Sequence, residues 1–223
     1  MNTFEQSIGY QFHDRELLLT ALTHSSYVNE HPKEHLESYE RLEFLGDSIL
    51  GLVTAEYLYH RNPPIPEGRM TRIRAELVCE ESLFAVADTL NIGHYMRLGR
   101  GEEKSEGRTR PSILADMVEA VIAAISIDGG MEAARLFILK HVLRNAEDKI
   151  LSRSRDHKTE LQELVQKTPN SKIQYELTGE TGPDHLKTFT YTVFVNGSPV
   201  GTGSGHSKKE AEQAAAGDAL SKL

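Results

Sequence analysis

The sequence predicts two domains, an all-α domain over residues 1–154 and a smaller α+β domain over 155–223 with the order α-β-β-β-α. Two observations carry this. Apolar residues recur at helical spacing through most of the chain, whereas "KIQYELTGE" (172–180) and "TFTYTVFV" (188–195) alternate as strands do, with aromatic and β-branched residues. Between these two regimes lies "LSRSRDH" (151–157), which is polar, lacks periodicity and reads as a linker between separate cores.

Taken in order, "DRELLLTALTHSS" (14–26) predicts a helix with Asp14 as its N-cap. A long helix follows from about Ser38 to His60, stopped by "NPPIP" at 62–66, because proline lacks the N–H that a helix interior needs. "EGRMTRIRAELV" (67–78) and "EESLFAVADTL" (80–90) predict two helices with a bend near Cys79, and "GRGEEKSEGRTRP" (99–111) a polar loop. "SILADMVEAVIAAISID" (112–128) predicts an apolar helix closed by Gly129 and Gly130, and "MEAARLFILKHVLRNAEDKI" (131–150) an amphipathic one. In the second domain "KTELQELVQK" (158–167) is helical. "NGSP" (196–199) is a hairpin turn, "VGTGSG" (200–205) a third strand broken by glycines, and "SKKEAEQAAAGDALSKL" (207–223) a closing alanine-rich helix.

With 223 residues, the chain is long enough to bury a sizeable core, and 39% hydrophobic with 26% charged residues describes a globular protein. No apolar run approaches the roughly 18 residues of a membrane span. "MNTFEQSIGYQF" lacks the basic start and apolar core of a secretion signal, and one cysteine excludes an internal disulfide framework or a thiolate zinc site within one chain. These features predict a cytoplasmic location. The formal net charge of −8 argues against a nucleic-acid partner only on average, since phosphates respond to local fields. The surplus acid is local too. Residues 1–154 carry 17 Lys and Arg against 24 Asp and Glu, residues 155–223 carry 8 against 9.

That acid sits where helices are otherwise apolar. In "YERLEFLGDSIL" (39–50), Glu43 lies at about −60° and Asp47 at about −20° from Glu40 around the helix, so all three share one narrow face. In "SILADMVEAVIAAI", Asp116 and Glu119 stand three residues apart and hence also on one face. Carboxylates gathered from two helices repel and raise one another's pKa unless a cation compensates them. An all-oxygen donor set suits Mg²⁺ or Mn²⁺, ions that polarise phosphoryl oxygens and generate hydroxide from water near neutral pH. Glu67, just past the prolines, is a candidate further ligand at the rim. The plainer reading of Glu40 and Glu43 is that they complement the positive end of a helix dipole. Two such clusters on two apolar helices favour the metal, and Gly46 inside the helix points to a close backbone approach by a partner helix or another subunit.

These residues carry a resemblance. "ERLEFLGDSIL" closely resembles the signature of bacterial ribonuclease III, and "ALTHSSY" (21–27), "EGRMTRIRAELV" (67–78) and "SILADMVEA" (112–120) extend it over nearly the whole chain. The resemblance implies an endonuclease domain followed by a double-stranded RNA-binding domain. It implies Mg²⁺-dependent cleavage of double-stranded RNA, Mn²⁺ being an alternative ion, in processing ribosomal RNA precursors and other structured transcripts, with products carrying 5′-phosphate and 3′-hydroxyl ends. By matching position, Glu43, Asp47, Asp116 and Glu119 would bind metal, with Asp47 and Glu119 catalytic and Glu40 and Glu67 accessory. A homodimer with the signature helix at the interface would account for Gly46 and an exposed Phe44. Tyr39 departs from the small polar residue, such as asparagine, expected there; it precedes the ligands and affects only the start of the helix.

A-form RNA offers a shallow minor groove lined with 2′-hydroxyls, and a deep major groove closed to side chains. Polar groups on one helical face (Thr159, Gln162 and Glu163), a loop carrying His185, and Ser207, Lys208 and Lys209 at a helix start match the family's three RNA-contact regions in order. At that helix start, backbone N–H groups and the dipole already favour phosphate. His206 stands where lysine or arginine is usual. Arg69, Arg72, Arg74, Arg97, Arg100, Lys104, Arg108 and Arg110 are candidates to hold an RNA strand on the first domain, or else partners for its surface acids. Two rival functions remain open: a regulator that binds duplex RNA without cutting, and a small-molecule phosphohydrolase, which leaves residues 158–223 without a role.

Overall fold

The computed structural model describes residues 2–153, 157–183 and 186–222. It divides into two compact units, one up to residue 149 and one from residue 150 onward. Among the described residues, no helix is long and apolar enough to cross a membrane.

The first unit holds α1 (Asn2–Ile8), α2 (Arg15–Ala21), α3 (Ser25–Glu30), α4 (Glu40–Tyr59), α5 (Glu67–Leu77), α6 (Glu80–Thr89), α7 (Ile92–Tyr95), α8 (Arg100–Lys104) and α9 (Pro111–Phe137). A π-helical turn (Ile138–Val142) and α10 (Ala146–Arg153) follow, and the division between the units falls inside α10. The apolar α9 is the centre of this unit: from Met117 to Ile125 every residue except Glu119 is buried, as expected of a helix apolar all round. Helices α4, α6 and α2 pack around it. Gly130, with φ 83° and ψ 171°, interrupts α9 where a stop was expected, and the helical path resumes beyond it.

The helix expected over 14–26 is two helices. Asp14 caps α2 by accepting the Glu16 N–H at 2.9 Å. The chain then leaves the helix because Leu22, Thr23 and His24 find backbone partners far away: His24 N–H donates to Arg97 O (3.0 Å) and Arg97 N–H to Leu22 O (2.7 Å). The polar loop expected over 99–111 contains α8 and a short 3-10 turn at Gly107–Thr109. Arg108 organises it, donating to Gly93 O (2.5 Å) and Met96 O (3.0 Å) while pairing with Glu103.

The second unit has α11 (His157–Gln166), β1 (Ile173–Thr181), β2 (Thr188–Val195), β3 (Ser198–Gly205) and α12 (Lys208–Leu220). Its antiparallel sheet runs β1-β2-β3, with Tyr175 opposite Val193 and Val193 opposite Gly201. Asn196 and Gly197, both at positive φ, make the tight turn expected between β2 and β3. Leu161 and Val165 of α11, Val193 of β2 and Ala215, Ala216 and Ala219 of α12 form the core. Glycine in β3 is a packing requirement: a Cβ at Gly203 would lie 2.1 Å from the Ala215 nitrogen, so α12 seats directly on the strand. Of the proposed linker, residues 151–153 continue α10, 154–156 lie outside the described residues and His157 opens α11.

Candidate active site and RNA-binding face

Gly46 sets the approach of α4 to α9. A Cβ there would stand 1.9 Å from the Glu119 carbonyl oxygen and 2.4 Å from its carbon, so the two backbones touch. The partner is therefore a helix of the same chain, not the second subunit that the sequence left open. This contact puts the acidic faces of α4 and α9 against each other: oxygens of Glu43, Asp116 and Glu119 all lie within 4.8 Å of one another. Asp47 and Glu40 are exposed beside the trio and act on it through charge. Asp47 raises the pKa of both Glu43 and Glu119, and Glu40 that of Glu43.

The electrostatics follow from burial and crowding. Burial first, then the charges of Asp47, Glu43 and Asp116, push Glu119 up to about 8. Glu43 is raised by burial and by the carboxylates of Asp116, Asp47 and Glu40. Asp116 is also raised, chiefly by burial, although the Tyr39 hydroxyl donating to Asp116 Oδ2 at 3.2 Å opposes this. The donor set is all carboxylate oxygen, the chemistry that a hard divalent ion such as Mg²⁺ takes, so these residues would hold one.

Glu67 is not in this cluster. It begins α5, accepts a hydrogen bond from the Thr71 hydroxyl (3.0 Å) and lines a separate cavity of about 400 Å³ with Tyr59, Met70 and Arg74. Three residues near the trio escaped sequence reasoning. Tyr39 contacts Asp116 through its hydroxyl, the charge of His24 lowers the Asp116 pKa, and that of Glu80 raises it. Only the polarity of these side chains was legible; their convergence depends on three separate segments meeting α9. Several candidate strand-holding cations are engaged in the fold: Arg97 lies over the Tyr27 ring (4.3 Å) and near Glu34, and Arg110 pairs with Glu102 at 2.6 Å.

In the second unit, Thr159, Gln162 and Glu163 share one face of α11, and Ser207 caps α12 by accepting the Glu210 N–H at 3.2 Å. Lys208 and Lys209 follow it, both exposed, with Lys208 Nζ 3.9 Å from Glu212. Glu212, a buried acid, is held mainly by Lys158 at 2.6 Å. His206 is exposed, its N–H donating to Glu210 (2.9 Å). His185 lies outside the described residues.

Comparison with known proteins agrees with both halves. The ribonuclease-III-like family matches residues 14–146 and the double-stranded RNA binding motif residues 157–223. The ribonuclease 3 of Listeria monocytogenes is 46% identical over 100% of this chain and 99% of its own. That of Caldanaerobacter subterraneus subsp. tengcongensis is 52% identical over 98% and 96%. The chain belongs to the ribonuclease III family. A solved structure of the ribonuclease III nuclease domain from Campylobacter jejuni superimposes with a TM-score of 0.59 at 40% identity, covering 64% of this chain and 96% of that one. As a member of the ribonuclease III family, the chain is an endoribonuclease with a helical nuclease domain followed by a double-stranded RNA-binding domain.

Proposed function

We propose that the chain is a Mg²⁺-dependent homodimer that cleaves both strands of duplex RNA, leaving 5′-phosphate and 3′-hydroxyl ends with short 3′ overhangs. The observation that supports this best is the Glu43, Asp116 and Glu119 trio with Asp47 beside it. These four would hold the ion, with Asp47 and Glu119 nearest the chemistry and Glu40 at the rim. A bound divalent cation lowers the pKa of water and stabilises the attacking and leaving oxygens at phosphorus. The carboxylates would hold the ion against the scissile phosphodiester, and one of them would take the proton of the attacking water while the 3′-oxygen, released as its bond to phosphorus breaks, takes up a proton from solvent. Thr159, Gln162, Glu163 and His185 would read the minor groove, while Ser207, Lys208 and Lys209 hold phosphates.

A second copy of the chain has a suitable surface. Phe44 (77% exposed), Leu45, Leu52 and Tyr59 (71% exposed) run along one side of α4, the last three at seven-residue intervals. The Campylobacter jejuni nuclease domain is itself described as having a region involved in dimer formation. Glu67 beside Tyr59 lies along this side of α4, so it would serve a rim facing the partner. We assign the work to the cytoplasm, on ribosomal RNA precursors and other structured transcripts.

The test is cleavage of duplex RNA by wild type, Asp47→Asn and Glu119→Gln protein in Mg²⁺ and in EDTA. Wild type should cut only with Mg²⁺, and both variants should bind duplex but cut poorly. Shifted, uncut RNA with wild type under both conditions would instead identify a binding regulator.

A further inference from the structure

Tyr39 links the two acid-bearing helices at the start of α4. Its ring is buried, with the residue 5% exposed, and lies against the His24 ring at a centroid distance of 5.8 Å. Its N–H donates to Thr23 O (2.9 Å), its own carbonyl accepts the Glu43 N–H (2.9 Å), and its hydroxyl reaches Asp116 on α9 (3.2 Å). One residue thus anchors the first turn of α4, which carries Glu43, through its backbone and touches the carboxylate of Asp116 through its hydroxyl.

We propose that Tyr39 is a positioning residue that fixes the Asp116 carboxylate for divalent-cation binding. The inference rests on the metal-site reading above. An ionised carboxylate offers only acceptors, so the phenol donates and Asp116 accepts. That bond occupies one lone pair of Oδ2 and selects the orientation in which the remaining acceptor positions face Glu43 and Glu119. At 3.2 Å it is longer than the usual O–H···O of about 2.7–2.8 Å but within hydrogen-bonding reach.

Tyr39 is itself held. His24 Nδ1 accepts the Ser26 N–H (3.2 Å) and lies 2.8 Å from Ser26 Oγ, which in turn accepts the Gly99 N–H (2.9 Å). The segment 22–24 is clamped to Arg97 on its other side. "ALTHSSY" therefore acquires a physical role, since it builds the support against which the Tyr39 ring rests. Outer partners that orient ligating carboxylates typically contribute about 10–100-fold in metal affinity or activity.

The test is Tyr39→Phe, which keeps the ring and removes only the hydroxyl. Mn²⁺ binding is read by electron paramagnetic resonance without RNA, and cleavage is then followed as a function of Mg²⁺ concentration. The expected result is Mn²⁺ affinity weakened about tenfold and an activation midpoint displaced in step, with KM for duplex RNA unchanged. A hydroxyl that merely packs would move neither metal curve. A second comparison works through Asp116: added to Asp116→Asn, Tyr39→Phe should cost less than about twofold further, because the two residues act as one unit. Tyr39→Phe protein that binds Mn²⁺ as wild type does would overturn the inference alone. A full additional tenfold loss in the Asp116→Asn background would overturn it too. Wild-type protein that binds no Mn²⁺ would overturn the metal-site reading and the inference with it.

Discussion

The α-carbon of Gly46 faces the carbonyl oxygen of Glu119 so closely that a methyl group between them would stand 1.9 Å from that oxygen. Both neighbours are backbone, so neither can swing aside, and α4 would have to move off α9. Alanine gains roughly 0.5–1 kcal/mol over glycine in a helix interior, whereas overpacking costs about 1–3 kcal/mol and here also parts Glu43 from Asp116 and Glu119. Gly46→Ala should therefore lower the melting temperature despite its better helix propensity, and should weaken cleavage more than duplex binding. Thermal melts and a cleavage assay on the same preparation check this. An alanine variant with unchanged melting and activity would show that the contact is not tight.

Glu119 makes the metal-free protein sensitive to pH in an unusual direction. An unfolded chain ionises this carboxyl near 4.5, whereas burial and its acidic neighbours hold it up to about 8 in the fold. Between those values the folded state keeps a proton that the unfolded state has lost, so stability is greatest below about 4.5 and falls as pH rises towards 8. Glu43 and Asp116, also raised, act in the same sense. His141, lowered chiefly by burial, acts oppositely below its ordinary 6.5. Glu119→Gln removes one contribution and leaves the histidine. In EDTA, the melting temperature of wild type relative to Glu119→Gln should fall between pH 5.5 and 8, and millimolar Mg²⁺ at pH 8 should restore wild type more than the variant. A gap that stays constant across this range would contradict the assignment.

How much of this was legible beforehand depends on the range of the interactions involved. The acidic faces of α4 and α9 and the strand grammar of β1 and β2 come from spacing within one element, and spacing is written in the sequence. The break after Ala21 is not, because it depends on Arg97 supplying backbone partners to Leu22 and His24 from far along the chain. Helix α8 inside an apparent loop depends likewise on Arg108 reaching Gly93 and Met96. Tyr39 looked like a variation at a helix start because its hydroxyl partner is 77 positions away. Gly46 announced a close approach, but only the packing identifies Glu119 as what approaches. Glu67 reads as one more acid in the sequence, and α5 carries it to a different cavity.

Asp128 anchors the start of the nuclease domain. Its side chain is only 3% exposed and accepts hydrogen bonds from the Tyr10 hydroxyl (2.6 Å) and the backbone N–H groups of His13 (2.9 Å) and Asp14 (2.8 Å). Burial alone would raise its pKa, but these bonds prevail and hold it at about 2, while burial and the same carboxylate raise Tyr10 to about 12. A lowered carboxyl contributes stability above its ordinary value near 3.8 and loses it as pH falls towards 2, the reverse of Glu119. Asp128→Ala should cost about 1.5–3 kcal/mol at pH 7 by removing hydrogen bonds made to a charged group. Denaturant melts at pH 7 and pH 2.5 check both points: the penalty should be large at the first and shrink at the second.

Under the proposed function Lys208 and Lys209 would hold phosphates at the start of α12, and the salt dependence of binding separates that role from ordinary surface charge. Each phosphate neutralised by a lysine releases condensed counterions, so it adds to the slope of log affinity against log salt. Lys208 spends part of its charge on Glu212 at 3.9 Å and lies 6.0 Å over the Tyr191 ring, whereas Lys209 is simply exposed. Lys209→Ala should therefore weaken duplex RNA binding more than Lys208→Ala, with the slope falling by about one for each phosphate contact removed. The loss should be similar for duplexes of unrelated sequence, because phosphates carry no base information. Titrations in EDTA, where no cutting intervenes, over a range of KCl concentrations give the slopes directly. Slopes identical to wild type in both variants would mean that the start of α12 does not hold phosphate.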